Sequence, residues 1–129
     1  MFRVNGLLQV AQRATDLPRA TAFYRDVLGL PLLAEFDPPG LVFFDLGGST
    51  RLLLDAHAPS TLLYLEVADI HHAVEHLSRV GVVFHQGAHL IHRHDGTFDA
   101  VGVEEWMAFF HDSEGNQLAL VECRQPPAG

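Results

Sequence analysis

The chain contains no lysine; its eight basic residues are all arginine, set against sixteen Asp and Glu. A lysine Schiff base is therefore excluded as a catalytic device. The formal net charge is −8 with histidine neutral. This argues against a nucleic-acid partner, whose phosphates need clustered Lys and Arg. Cysteine occurs once, at Cys123, so no intrachain disulfide can form, and a buried or half-buried place near a strand end is expected for it. No apolar run reaches the roughly 18 residues of a membrane span, and the first residues lack the basic-then-apolar plan of a secretory signal. No membrane partner is expected, and the cytoplasm is the expected compartment. Ser49, Ser60, Ser78 and Ser113 all fall in turns or on a helix, so no nucleophile triad is expected. Gly47-Gly48 is followed by no helix and is not a phosphate loop.

What the chain does contain is a repeat. Gln9-Val-Ala-Gln-Arg-Ala-Thr-Asp16-Leu-Pro-Arg-Ala20 is echoed 53 residues later by Leu62-Leu-Tyr-Leu-Glu-Val-Ala-Asp69-Ile-His-His-Ala73. Phe43-Phe44 and Leu52-Leu53-Leu54 match Phe109-Phe110 and Leu118-Ala119-Leu120 at an offset of 66. Repeats make equivalent positions comparable residue by residue. The 129 residues, 48% hydrophobic with mean hydropathy +0.13, suit one soluble domain over 1–129 that buries about two-thirds of its unfolded surface.

Residues 7–14 read as a strand. Asp16 is a helix N-cap with Pro18 in the first turn, and Ala20, Phe23, Tyr24, Val27 and Leu28 form a helical stripe ended by Gly29. Strands are expected over 30–36, 41–46 and 51–55. The second half repeats the plan: strand 62–67, the Asp69 cap, a helix through Ala73, Leu77 and Val80 stopped by Gly81, strand 82–85, an irregular stretch, and a hairpin of 106–110 and 117–121. Residues 125–129 are expected to be a frayed tail. Each half is strand–helix–strand–strand–strand.

This duplicated plan resembles the vicinal oxygen chelate superfamily, which includes glyoxalase I, extradiol dioxygenases, methylmalonyl-CoA epimerase and the bleomycin-resistance proteins. The resemblance rests on Asp16-Leu-Pro-Arg-Ala-Thr-Ala-Phe23-Tyr24-Arg-Asp-Val-Leu28-Gly29-Leu30 and on Phe110-His-Asp112-Ser-Glu-Gly115-Asn116, where Ser113 replaces a usual proline. It covers about residues 7–123. It implies an α+β fold of two tandem βαβββ modules, about 7–55 and about 62–123, forming a cupped, barrel-like mixed sheet with helices outside. It also implies a homodimer.

In the metal-dependent members, the resemblance implies four ligands, two from each module. They carry over to Gln9, Leu53, Leu62 and Ala119, of which only Gln9 can bind a metal. The two offsets pair Gln9 with Leu62 and Leu53 with Ala119, and one-residue slips meet only apolar neighbours. One amide oxygen is insufficient for a divalent ion. No metal and no cofactor are therefore expected.

Alternation along strands puts Gln9, Arg13, Leu53, Asp55, Leu62, Tyr64, Glu66, Gln117 and Ala119 on the face away from the helices. Arg13 and Glu66 are repeat equivalents, read either as a substrate-anchoring arginine held by a carboxylate or as an ion pair closing the cavity. Asp55 and Glu66 are candidate acid–base groups. Tyr64 and Trp106 either stack on a flat ligand or belong to the core. His72 and His76 have chelating i, i+4 spacing on a solvent-facing helix surface. His89, His92 and His94 form a lid, an off-pattern metal site or an exposed polar loop. The expectation is a metal-free protein that binds a small organic molecule in the cavity between its modules through Gln9, Arg13, Asp55, Tyr64, Glu66, Trp106 and Gln117. The alternatives are a lyase, isomerase or dioxygenase with a relocated metal site using Gln9, Asp55 and loop histidines, and metal-free acid–base catalysis by Glu66 or Asp55.

Overall fold

The computed structural model describes residues 7–127. The elements run β1 (Gln9–Arg13), α1 (Leu17–Ala22), β2 (Leu32–Phe36), β3 (Leu41–Asp45), β4 (Arg51–Asp55), β5 (Leu63–Glu66), α2 (Ile70–Arg79), β6 (Phe84–Arg93), β7 (Glu104–His111) and β8 (Gln117–Arg124). The α1 helix continues directly into a π-helical turn, Phe23–Val27. The last residues of the expected tail, 128–129, lie outside the described residues. No helix among the described residues is long and apolar enough to cross a membrane.

Contacts divide the chain into two compact units. One runs to Thr61 and takes in Asp112–Asn116; the other comprises Leu62–His111 and the segment from Gln117 onward. Each holds a four-stranded mixed sheet, in the orders β1-β4-β3-β2 and β5-β8-β7-β6. In each sheet the first strand is parallel to the last and the remaining pairs are antiparallel. The architecture is α+β with two βαβββ modules, as the repeat implies. The two offsets carry the Ala11–Leu53 register onto the Tyr64–Ala119 register.

Both helices start where a carboxylate can satisfy a free backbone N–H. Asp16 Oδ1 accepts from Arg19 N at 3.0 Å and Asp69 Oδ1 from His72 N at 3.1 Å. Both stop at glycines with positive φ, Gly29 at 71° and Gly81 at 98°, where a Cβ would be strained. In the first unit the helix buries Ala20 and Tyr24 against Val42, Phe44, Leu52 and Leu54; the Tyr24 and Phe44 rings lie 5.9 Å apart. In the second, α2 buries Ile70 and Leu77 on the face that carries Leu63, Leu118, Leu120, Ala108 and Phe110. Val80, expected in the helical stripe, is 51% exposed, because α2 ends at Arg79.

The turn Asp112–Asn116 is the polar centre of the first unit. Asp112 is buried, and its carboxylate accepts four hydrogen bonds: Glu114 N and Asn116 N to Oδ1, Tyr24 Oη–H and Asn116 Nδ2 to Oδ2, all at 2.7–2.8 Å. Burial, and then the Asp112 charge, push the Tyr24 phenol far above its ordinary range, so it acts as a permanent donor. Glu114 accepts from Arg19 Nε at 2.7 Å and from Asp16 N at 3.1 Å. Asn116 Nδ2 donates to the Arg13 carbonyl at 2.8 Å, and Asn116 Oδ1 accepts from Ser60 Oγ at 2.5 Å. Ser60 Oγ in turn accepts from Arg13 N at 3.1 Å.

Tyr24→Phe removes one donor from a buried carboxylate, so a loss of about 1.5–3 kcal/mol of unfolding free energy is expected in urea denaturation. A loss under about 0.5 kcal/mol would mean that the turn does not depend on this bond. The Arg19 hydrogen bond holds the Glu114 carboxyl below its ordinary value of 4.5. A depressed folded pKa gives stability that is complete above about 4.5 and is lost as pH falls through the lower folded value. Glu114→Gln is therefore expected to be less stable than the parent at neutral pH and to lose less on acidification below about pH 4.5; melting curves across that range check it.

Candidate functional site

In each unit the sheet face opposite the helix follows directly from the register. In the first, Gln9, Ala11 and Arg13 on β1 pair with Arg51, Leu53 and Asp55 on β4. In the second, Tyr64 and Glu66 on β5 pair with Ala119 and Val121 on β8, and Gln117 pairs with His111 on β7. The strands thus place Gln9, Arg13 and Asp55 on one helix-free face, and Tyr64, Glu66 and Gln117 on the other.

Arg13 and Glu66 end the first strand of their respective units. Both are exposed, and Asn116 and Ser60 fix the Arg13 backbone from both sides. Asp55 is half-buried, and its Oδ1 accepts from His57 N at 2.9 Å, closing the turn after β4. Tyr64 is 56% exposed, presenting a ring and a hydroxyl to solvent.

Trp106 does not join them. It pairs with Glu122 on the helix side of its sheet, 5.5 Å from His71 on α2. Arg124 lies over its ring at 4.5 Å, and its Nε1–H donates to Glu104 at 3.0 Å. Tyr64 and Trp106 therefore cannot grip one flat ligand. Glu122, buried beside it, accepts from Ile70 N at 2.9 Å and caps α2.

Three further expectations change. The strand expected over 82–85 runs as β6 to Arg93, so His89 and His92 belong to a strand rather than a loop. His94 follows that strand with its side chain only 1% exposed, and its Nε2 lies 2.5 Å from Glu105 Oε2; it is not part of an exposed polar loop. Cys123 is exposed, since β8 continues past 121 to Arg124 and alternation brings the thiol out opposite Glu105.

The four positions at which the family resemblance implies metal ligands can be tested on their chemistry. In the first unit, Gln9 Oε1 accepts from Arg51 Nε at 2.6 Å, and Leu53 has no donor atom. A guanidinium on the sole oxygen repels a divalent cation as well as occupying its ligand. In the second unit, Leu62 and Ala119 offer nothing. Gln9 and Asp55 stand four residues apart along the ladder, about 13 Å, too far to share one ion. No three His, Cys, Asp or Glu among the described residues gather to hold a metal. The residues present do not fit the family's chelated ion.

Sequence reasoning missed Arg51, which also lies over the Phe43 ring at 5.5 Å. The signal was present: Arg51 is the equivalent of Gln117 at the offset of 66. It also missed His85, whose Nε2 lies 3.5 Å from Gln117 Nε2. The bulges in β6 obscured the alternation that would have assigned it a face.

Trp106→Phe is expected to cost about 1 kcal/mol through the lost Arg124 and Glu104 contacts and to leave ligand-induced stabilisation unchanged. Thermal melts with and without a stabilising compound test this; loss of the ligand shift alone would return Trp106 to the site.

A family model described as Glyoxalase/Bleomycin resistance protein/Dioxygenase superfamily matches residues 6–120. No curated protein matches. Among solved structures, a lactoylglutathione lyase from Agrobacterium tumefaciens is similar at 24% identity and TM-score 0.69, covering 94% of this chain and 96% of that one. A superfamily member from Sphaerobacter thermophilus is similar at 23% identity and TM-score 0.72, covering 92% and 98%. TnmS3, an antibiotic binding protein from a Streptomyces species, is similar at 21% identity and TM-score 0.72, covering 95% and 99%. At these identities the likeness is one of fold.

Proposed function

The chain belongs to the glyoxalase/bleomycin resistance protein/dioxygenase superfamily, and on that premise we propose that it is a binder of a small organic molecule that works without the superfamily's chelated metal. The observation that carries this reading is the Arg51–Gln9 bond at 2.6 Å. It turns the one donor at the four ligand positions into a partner for a side-chain cation. A helix-free face that combines Arg13, Arg51 and Gln9 with Leu53 and Phe43 suits an organic ligand with polar substituents, through apolar contact and a few directed hydrogen bonds. TnmS3, similar in fold, is by its description an antibiotic binding protein, and an organic ligand of that kind is consistent with this surface. Arg13 and Gln9 anchor polar groups of a ligand on the first sheet, and Tyr64, Glu66 and Gln117 offer polar contacts on the helix-free face of the second. Asp55, committed to the His57 N–H, shapes the end of β4. The two modules form one domain, and the protein acts as a homodimer, which sedimentation of the untagged protein measures.

The test is a compound-library thermal-shift screen of untagged protein, run with EDTA and with added divalent metals. Binding to the folded state raises the melting temperature by mass action. Compounds are expected to stabilise the protein equally with and without EDTA, and Arg51→Ala to weaken their effect. Stoichiometric metal in the purified protein, together with ligand shifts that vanish in EDTA, would overturn the reading.

A further inference from the structure

Four rings stand in sequence on the helix-free face of the second unit. His111 and His85 lie 4.6 Å apart with planes inclined by 32°. His85 and Phe109 follow at 6.2 Å and 42°, then Phe109 and His89 at 6.4 Å and 41°. Two register shifts in β6, between Phe84 and Gln86 and between Gln86 and His89, aim His85 and His89 to the same side as Phe109 and His111. The run is therefore built by bulges, a device that re-aims side chains. Gln117 stands at the His111 end, 3.5 Å from His85. His89 Nδ1 lies 2.7 Å from the Gly87 carbonyl; a carbonyl only accepts, so Nδ1 carries the proton and the ring is oriented.

The charge on this face is equally specific. The two arginines of the sheet, Arg93 and Arg124, bond Glu104 and Glu122 on the side that carries Trp106. Among the described residues of this sheet, positive charge on the helix-free face therefore comes from imidazole alone. The other titratable groups there are Tyr64 and Glu66 on β5, Cys123 on β8, Glu105 on β7 and His92 on β6. Cys123, Glu105 and His92 share one register row, six residues along β7 from His111 and about 20 Å away. Glu105 is engaged by His94. Glu66 and Glu105 stand toward the His89 side of the run, and among the described residues of this sheet no carboxylate faces its His111–His85 end.

We propose that this ring ladder is the binding surface for a flat aromatic molecule bearing an acidic group, such as an aryl carboxylate or an acidic phenol. The proposal rests on the small-molecule reading above and names the ligand class for one of its faces. The tilted rings together provide an aromatic contact surface on one face. Three imidazoles provide N–H donors, and an imidazolium attracts an anion. The Gln117 amide adds a directed contact beside them. Binding tightens as the solution becomes more acidic, provided the ligand stays ionised.

The experiment is calorimetric titration of the full chain with 2-naphthoate and with its neutral counterpart 2-naphthamide, at about pH 8 and about pH 5.5. Naphthoate affinity is expected to rise by about tenfold on acidification, and naphthamide affinity to change by less than about twofold. The double variant His85→Gln with His111→Gln, both at exposed positions, is expected to keep its melting temperature and lose the pH dependence. A control double variant on α2, His72→Gln with His76→Gln, is expected to keep the pH dependence. Equal, pH-independent affinity for both probes overturns the proposal, as does pH dependence that survives in the His85/His111 variant. If neither probe binds while neutral aliphatic compounds from the library do, the ladder proposal falls and the small-molecule reading stands. If no compound binds, both fall.

Discussion

A buried carboxylate must have its lone pairs occupied, and Asp112 meets that requirement with four short hydrogen bonds. A charge so placed in a low-dielectric surrounding tolerates no missing partner. Two of the four donors are backbone groups of its own turn, so the carboxylate dictates the turn's shape. The third, the Tyr24 hydroxyl, ties that turn to the helical segment; the fourth, the Asn116 amide, extends the network to the Arg13 carbonyl. Glu114, two residues on, then reaches Arg19 and Asp16 N. The end of β1, the cap of α1 and the helix's buried face are thus positioned from one acidic atom group. The side chains that β1 presents, from Gln9 to Arg13, inherit that positioning.

Much of this was legible in the sequence because the repeat acted as a measuring scale. The Asp16 and Asp69 caps, the Gly29 and Gly81 stops and both sheet registers follow from simple periodicities that the chain states twice. Gln9, Arg13, Asp55, Tyr64, Glu66 and Gln117 fall on the faces that alternation assigns them. Illegible features came from places where periodicity breaks. The bulged strand β6 carries its histidines out of phase, so His85 escaped notice and His92 looked like a loop residue. Trp106 was misplaced for a different reason: residue type suggested stacking on a ligand, whereas its phase along β7, two residues before Ala108, sets it on the buried side. Arg51 shows a third kind of gap. Its position was readable, but its hold on Gln9 is a side-chain geometry that no spacing encodes.

The two helix-free faces solve different chemical problems with one backbone plan. The first replaces a possible cation site by a cation, placing a guanidinium where an ion's charge would otherwise stand. The second draws on rings, three of them imidazoles, and keeps both of its strand arginines on the opposite side with glutamates. A strongly acidic chain thereby displays local positive or neutral surface on each face without any lysine. Arginine suits the first role because its planar fork makes directed bonds while lying over an aromatic ring, as Arg51 does on Phe43.

The Asp112–Tyr24 bond spans 88 residues of chain, and the Glu114–Asp16 bond spans 98. A ribosome reading from the amino terminus makes every strand of the first sheet long before it makes the turn that completes that unit's polar network. Until residue 116 emerges, the Tyr24 hydroxyl, the Arg13 carbonyl and the Asp16 amide lack their final partners. The first repeat is thus the earlier to be synthesised but cannot be the earlier to be finished. Its sequence is self-similar to the second, yet as a folding unit it closes around a segment borrowed from late in the chain. Such late closure favours a single cooperative transition over stepwise folding of two halves, and it ties any fragment cut between the repeats to an incomplete first core.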